Sequence, residues 1–485
     1  MYNVVARNII VQWKRIAMIR FGTGGWRAII GDDFCKENIC RVAQGICDYM
    51  AKENKTELPV MIGYDRRFLS DSAARWVAEV LCGNGIAVHF MHRSAPTPLV
   101  MFIVKHDKLH FGIEITASHN PSDYNGIKLI VEEGRDASVE CTEELERLIA
   151  RAEVRAMPFD RAVEAGLVTF LKTPFNDFLD SIIAQLDMNV IRNAGMRILF
   201  DPMHGSGTYP LMTLLYTARC TVDLMHSNKD AYFGGSMPAP GFHQLASLRR
   251  RVVEEHYDLG IAVDGDGDRI GIIDRDGSYI EANQILVMLY YYLHEYRGWK
   301  GPVVRNLATT HMLDAVAHSF GEECYEVPVG FKYISAKLDE KDAVLGGESS
   351  GGLTVRGHIF GKDSIYAAML FVEMLCALGK SASEIWQELT EKYGSFVMAE
   401  DNLRFAAEDK PRIEQMVMIE KRIPTFEKET VTHVNYEDGC KIYFASGAFV
   451  ICRFSGTEPL LRIFAEAKDR DSAVRLIETV KQMIL

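Results

Sequence analysis

Two short segments of this chain carry residue types suited to phosphate chemistry. The first is Thr116-Ala117-Ser118-His119-Asn120-Pro121. It follows Phe111-Gly112-Ile113-Glu114-Ile115, an apolar alternation that reads as a strand, and it breaks on Asn-Pro, a turn signal. A serine there is expected to stand exposed at the rim of a sheet, where open α/β sheets bind ligands. The second is Asp264-Gly265-Asp266-Gly267-Asp268, a carboxylate run between two apolar strands. Its spacing opens like a calcium loop, but Arg269 stands where that loop needs Gly and Arg275 where it needs Glu. Glycines at 265 and 267 instead let the backbone fold so that the carboxylates converge on one cation; the bland alternative is a solvated acidic turn. Mg²⁺ suits an all-oxygen set that leaves room for a phosphate. A nucleophile-type serine plus a hard-cation site points to metal-assisted phosphoryl transfer.

Such chemistry needs cations of its own. Arg453-Phe454-Ser455-Gly456-Thr457-Glu458-Pro459 joins two strands and is followed by Arg462. Backbone N–H groups around Gly456, the hydroxyls of Ser455 and Thr457 and the Arg453 guanidinium make an anion cradle, with an ordinary β-turn as the alternative. Arg27, after Gly22-Thr23-Gly24-Gly25, and Lys128, in Asn125-Gly126-Ile127-Lys128, are further candidates. Two near-matches fail. The loop before Arg27 lacks the third glycine of a dinucleotide fingerprint, and Gly357-His358-Ile359-Phe360-Gly361-Lys362-Asp363 is a residue short of a P-loop and offers Asp where Ser or Thr binds the metal.

The elements that must position these groups alternate strand and helix almost throughout, which predicts βα units and mainly parallel sheets. Strands are expected at 59–63, 197–200, 259–263 and 270–273, and helices at 70–81, 364–378 and 381–392, the last opened by a Ser381/Glu384 capping box. The strands at 197–200, 259–263 and 343–345 each run into a loop rich in Gly, Ser or acid, which suggests similar units facing a shared cleft. After about residue 393 short strands (441–444, 449–453, 461–465) surround one final helix at 471–485, with Val474, Ile477, Val480 and Ile484 on its apolar face. The expected fold is α/β: three similar mixed α/β domains (19–162, 163–278 and 279–392) plus a smaller C-terminal α+β domain (393–485) around a central cleft. Residues 1–18 read as an N-terminal extension, basic and without an acidic side chain, more like an upstream extension or an over-called start than a targeting peptide.

Composition bounds the partners. The chain has 485 residues, 48% of them hydrophobic, and a net charge of −12. That charge excludes general nucleic-acid binding, and no apolar run reaches the length of a membrane span. The ten scattered cysteines contain no CxxC pair and read as free thiols of a reducing cytoplasm.

Together the four loops resemble, in order, the landmarks of the α-D-phosphohexomutase family: the serine loop at 116–121, the metal loop at 264–268, a sugar loop at 347–351 and the phosphate loop at 453–459. Phe21-Gly22-Thr23-Gly24-Gly25-Trp26-Arg27 is similar to the family's opening. The resemblance implies an enzyme phosphorylated on Ser118, with Mg²⁺ held by Asp264, Asp266, Asp268 and the phosphoserine. It implies Glu348 and Ser350 on sugar hydroxyls and Arg453, Ser455, Gly456, Thr457 and Arg462 on the phosphate that is not reacting. Arg27, His119, Lys128 and Arg269 would line the transfer site, with either Lys128 or His119 moving the proton. A hexose 1,6-bisphosphate, glucose 1,6-bisphosphate for a glucose substrate, would be intermediate and activator.

Gly352 stands where mannose- and glucosamine-type members often carry His, and Gly330-Phe331-Lys332 replaces their Thr-Gly-His. Both features, and Gly63-Tyr64-Asp65-Arg66-Arg67-Phe68-Leu69-Ser70, look like the glucose branch and make Lys332 a substrate-site candidate. The expected protein is a phosphoglucomutase acting on small hexose phosphates, as monomer or homodimer. A phosphomannomutase or dual-specificity enzyme is the alternative; a sugar-phosphate phosphatase or sensor is a remote one.

Overall fold

The computed structural model describes residues 19–22, 24–454 and 459–485. The N-terminal extension and Ser455, Gly456 and Thr457 lie outside the described residues. Four sheets of eight, five, four and five strands follow one another along the chain.

The first three sheets repeat one plan. In the first, Val88–Phe90, Val60–Tyr64 and Phe111–Ile115 run parallel, and Tyr124–Val131 then returns antiparallel beside Phe111–Ile115. In the second, Thr221–Leu224, Arg197–Asp201 and Leu259–Val263 are parallel, and Ile270–Asp274 returns beside the last. In the third, Cys324–Val327, Val303–Asn306 and Leu345–Gly347 are parallel, and Leu353–Val355 returns. The sheets are therefore mixed rather than mainly parallel. In every unit the turn from the last parallel strand into its returning neighbour is one of the chemistry-bearing loops: 116–123, 264–269 and 348–352. These turns lie at the carboxyl ends of the parallel strands, the edge where α/β sheets present ligand sites.

Val168–Phe170 pairs with Val88–Phe90, so the first sheet takes its last strand from beyond the boundary expected at 162. Sequence shows that such a run is extended, not which sheet it joins. The largest core cluster runs across the first three units and takes in Phe178, Phe200, Leu286, Tyr290 and Phe371. The helix Ser364–Leu378 crosses it, buried along nearly its whole length, which is why it is apolar all round. Among the described residues no single helix is long and apolar enough to cross a membrane. The helix Ala382–Tyr393 carries the expected capping box.

The fourth sheet is antiparallel throughout: Val397–Arg404, Leu460–Ala467, Phe449–Phe454, Cys440–Phe444, Val431–Asn435. Its alternation serves two neighbours. Cys440, Ile442, Val450 and Cys452 face the terminal helix Arg470–Ile484. Phe449 and Ile451 face the third unit at Leu307 and Ala308. Val474, expected on the helix's apolar face, is 39% exposed; the buried stripe is Ala473, Leu476, Ile477, Val480 and Ile484.

Candidate active site

Ser118 is fully buried rather than exposed at a rim. The second unit covers it: Gly265 comes so close that a Cβ there would lie 2.8 Å from the Ser118 carbonyl oxygen. Ser118 has φ +52°, the left-handed region, a strain of about 1–3 kcal/mol that the surroundings must over-determine. The Ser118 N–H donates to Thr116 Oγ1 (2.8 Å), and the Thr116 hydroxyl donates to Asp65 (2.6 Å). Beneath the turn, the buried Arg67 guanidinium donates to the carbonyls of Ser118 and Asn120 (both 2.6 Å), Pro121 (2.7 Å) and Tyr124 (3.1 Å). Its Nε lies 3.3 Å from Asp65. One buried ion pair thus staples the whole loop.

The Ser118 hydroxyl donates to Asp264 Oδ2 across 3.1 Å. Asp264, Asp266 and Asp268 are buried, and one ligand oxygen from each falls within 4.8 Å of the others. The approach depends on glycine: a Cβ on Gly205 would sit 2.7 Å from the carbonyl oxygens of Asp264 and Gly265. Lys128 Nζ lies 2.7 Å from Asp266 and 2.9 Å from Asp268, Lys362 Nζ 3.1 Å from Asp268, and Thr97 donates to Asp266 across 2.7 Å. Asp264 Oδ1 accepts the N–H groups of Asp268 and Arg269. Asp266 Oδ1 and Asp268 Oδ1 stay buried without a hydrogen-bond partner. Converging carboxylates with orphaned oxygens are a fit for a hard divalent cation such as Mg²⁺.

Charge state follows from these contacts. Burial and its two acidic neighbours push the Asp264 carboxyl well up. Burial also opposes ionisation of Asp268, but Lys128, Lys362 and Arg269 outweigh it and hold it well below the usual range. Burial opposes the Lys128 charge, and Asp266 and Asp268 more than restore it. Arg269, burial and Arg27 hold His119 far below its ordinary value, so the ring is neutral; its Nδ1 lies 3.4 Å from Ser118 Oγ. Arg27 donates to Asn120 Oδ1 (2.8 Å), and Arg269 Nε sits 3.8 Å from Asp268.

Glu348 is buried and accepts from Asn306 Nδ2 (3.1 Å) and the Gly330 N–H (3.2 Å), while the Ser350 hydroxyl donates to it across 3.3 Å. The Ile270 N–H donates to the Gly351 carbonyl, tying the 348–352 turn to the strand that follows the aspartate loop. Lys332 is half-buried over the Tyr333 ring, with Asp136, Glu140 and Glu143 of the first unit as its acidic neighbours. Arg453 forms a two-bond pair with Asp438 (2.9 and 3.0 Å), whose Oδ2 also accepts the Val329 N–H. Arg462 is exposed and opposite Arg453 on the neighbouring strand.

Sequence reasoning missed Thr97, Arg67 and Lys362. Lys362 belongs to the segment that fails as a P-loop, and its anchorage is different. Asp363 caps the helix Ser364–Leu378, and the Ser364 hydroxyl donates to the Gly267 carbonyl (2.6 Å), which fixes Lys362 beside the metal loop. The readable signal is an Asp cap before a long apolar run, with a lysine next to it.

Four family models match along the chain: phosphoglucomutase/phosphomannomutase alpha/beta/alpha domain I at 18–156, domain II at 176–277, domain III at 281–393 and the C-terminal domain at 400–483. The chain belongs to the phosphoglucomutase/phosphomannomutase family. It is 27% identical to a phosphoglucomutase/phosphomannomutase of Thermococcus kodakarensis, covering 94% of this chain and 96% of that one. It is 26% identical to a phosphoglucosamine/phosphogalactosamine mutase of Sulfurisphaera tokodaii, covering 96% and 98%. A solved phosphomannomutase-type structure from Thermus thermophilus superposes with a TM-score of 0.84 at 28% identity, covering 96% and 99%. Members of this family are phosphohexomutases, isomerase-class phosphotransferases, and the Asp264/Asp266/Asp268 cluster is a metal-binding arrangement of the kind they use.

Proposed function

We propose that this phosphohexomutase interconverts glucose 1-phosphate and glucose 6-phosphate through phosphoserine 118 and a glucose 1,6-bisphosphate intermediate. The observation that carries the reading is the buried contact of Ser118 Oγ with Asp264 inside a ring of Lys128, Lys362, Arg27 and Arg269. A phosphoserine carries about −1.5 to −2 charge, and three aspartates beside it demand neutralisation. Asp264, Asp266, Asp268 and the phosphoserine would hold Mg²⁺, which supplies the charge neutralisation of an in-line phosphoryl transfer.

The chain's own residues divide the remaining work. Arg27 and Arg269 orient the transferring phosphoryl group. Lys128 is held charged and has protons to give at the reacting oxygens; neutral His119 has a lone pair to accept one. Glu348 and Ser350 take sugar hydroxyls, and Glu348 is pre-set by Asn306 and Gly330. Arg453, Ser455, Gly456, Thr457 and Arg462 hold the second phosphate. When the bisphosphate turns over, the two phosphates exchange places and the second one reaches Ser118. Closure of the fourth domain excludes water and favours transfer over hydrolysis.

Gly330-Phe331-Lys332 and Gly352 favour glucose. A second reading, a mutase for mannose or amino-sugar phosphates, is supported by the names of the Thermococcus and Sulfurisphaera relatives. A coupled assay with glucose 1-phosphate, Mg²⁺ and a trace of glucose 1,6-bisphosphate, with mannose and glucosamine 1-phosphates in parallel, decides. Bisphosphate-stimulated glucose 6-phosphate formation is expected; turnover of another sugar alone overturns the glucose assignment, and release of free phosphate without isomerisation overturns the mutase.

A further inference from the structure

We propose that Cys440 and Cys452 are a modification site: a peroxide- or disulfide-class oxidant joins them by a disulfide across two strands of the fourth domain, and the bond weakens the grip of the phosphate loop. In the ladder between Cys440–Phe444 and Phe449–Phe454 the two cysteines are direct partners. Direct partners in an antiparallel ladder point to one face with Cα atoms about 4.5–5.5 Å apart, inside the span of roughly 4.4–6.8 Å that a disulfide bridges. No other two cysteines face each other in a ladder among the described residues. Both thiols are unbridged, and each residue is 3% exposed.

The surroundings favour reaction. The neighbouring Cys452 thiol and the Tyr436 hydroxyl hold the Cys440 thiol down against burial, while Cys452 is pushed well up. Cys440 therefore supplies the nucleophilic sulfur and Cys452 the resolving thiol. With hydrogen peroxide, the Cys440 sulfur attacks one oxygen, the O–O bond breaks and water leaves, giving a sulfenic acid. The Cys452 sulfur then attacks that sulfur, the S–O bond breaks, and the departing hydroxide takes the Cys452 proton as a second water. Two thiols are oxidised and one peroxide is reduced. Access comes through the end of the ladder, because the pair is its last rung and Gly439 precedes it at φ +93°; ladder ends open at lowest free energy.

Resting on the proposed function, which gives Arg453 to the second phosphate, the effect on binding follows from the neighbours of the pair. Arg453 follows Cys452, and its partner Asp438 lies two residues before Cys440. A Cβ on Gly439 would sit 2.3 Å from the Cys452 carbonyl oxygen, so the backbone before Cys440 packs directly against the backbone between Cys452 and Arg453. A covalent rung shifts both ends of the Arg453–Asp438 pair together, while Ser118 and the metal loop lie in other domains.

The test treats the full-length enzyme with hydrogen peroxide or oxidised glutathione, maps the peptides and measures hexose 1-phosphate kinetics. The peptide map reads the bond whichever sugar the enzyme accepts. The expected result is a Cys440–Cys452 linked peptide, a several-fold rise in KM with kcat nearly unchanged, recovery on adding dithiothreitol, and no response in Cys440→Ala, Cys452→Ala or Cys452→Ser. The proposal is overturned if both thiols stay free under oxidant, if the bond forms without moving KM, or if the alanine variants respond as the parent does.

Discussion

The junction of the first and second domains and the seam of the third and fourth hold charge in different ways. At the first, Ser118, Asp264, Asp266, Asp268 and Lys128 are all essentially sealed from solvent, and Arg67 binds backbone carbonyls that have no freedom to leave. At the second, Glu326 of the third domain receives Arg305 from its own domain and Lys441 and Tyr443 from the fourth, yet its side chain is 20% exposed; Asp438 is 27% exposed. Burial opposes the Glu326 charge, but His311, Arg305 and Lys441 hold it well below the usual carboxylate range. An apolar patch accompanies these pairs: Leu307, Ala308 and Val329 against Phe449, Ile451, Met398 and Phe464, with the His311 ring against Tyr443 and Phe449. The Ser118 and aspartate cluster is thus preformed by burial, whereas the fourth domain, which under the proposed function would carry the cradle for the other phosphate, is joined to the third largely through polar contacts.

The sharpest way to break this contrast is at Ser118. Ser118→Ala is expected to cost about 10³-fold or more in turnover with thermal stability unchanged; near-normal turnover removes the phosphoserine from the mechanism. Asp266→Asn comes next, with a loss on the order of 10²-fold and a weaker Mg²⁺ dependence together; an unshifted metal titration would separate the aspartates from the chemistry. The two regions are compared directly by Arg67→Ala and Lys441→Met. Removing Arg67 leaves Asp65 buried and unpaired, so a loss of about 3–5 kcal/mol in denaturant unfolding is expected along with turnover. Removing Lys441 leaves Glu326 with Arg305 and Tyr443, so about 1–3 kcal/mol is expected, with KM raised more than kcat is lowered. Equal effects would erase the distinction.

Glu348→Ala is expected to cost about 1–3 kcal/mol in sugar-phosphate binding with the metal titration in place; a loss of metal affinity alone would reassign Glu348. The smallest effect lies at His226, whose Nδ1 meets Asp201 at 2.9 Å and whose pKa is raised by that bond. A raised pKa stabilises the fold fully below the unfolded value of about 6.5, and the gain is lost as pH rises through the folded value. The side chain is 46% exposed, so His226→Gln is expected to remove no more than about 0.5 kcal/mol on the acid side and nothing at alkaline pH. A pH-independent difference between the two proteins would contradict this.

The legible part of the molecule is the part whose signal is local. Strand Leu259–Val263, the Ser381 capping box and the glycines of the metal loop declare themselves because turn chemistry and periodicity act over a few residues. Val397–Arg404 does not read as a strand: Met-Ala-Glu-Asp-Asn has little strand preference, and its pairing along Leu460–Ala467 imposes the conformation. Lys362 and Arg67 escape for the same reason, since their partners lie far away in sequence, at Asp268 and at the serine turn. Ser118 reads as exposed because the first domain alone would leave it so; the second domain buries it.

The most direct test incubates the parent, Ser118→Ala and Lys441→Met proteins with radiolabelled glucose 1,6-bisphosphate and maps the labelled peptide. A preformed transfer site predicts label on Ser118 in the parent and in Lys441→Met alike, and none in Ser118→Ala. Label on another residue, or loss of labelling in Lys441→Met while the protein stays folded, would contradict a transfer site built by the first two domains.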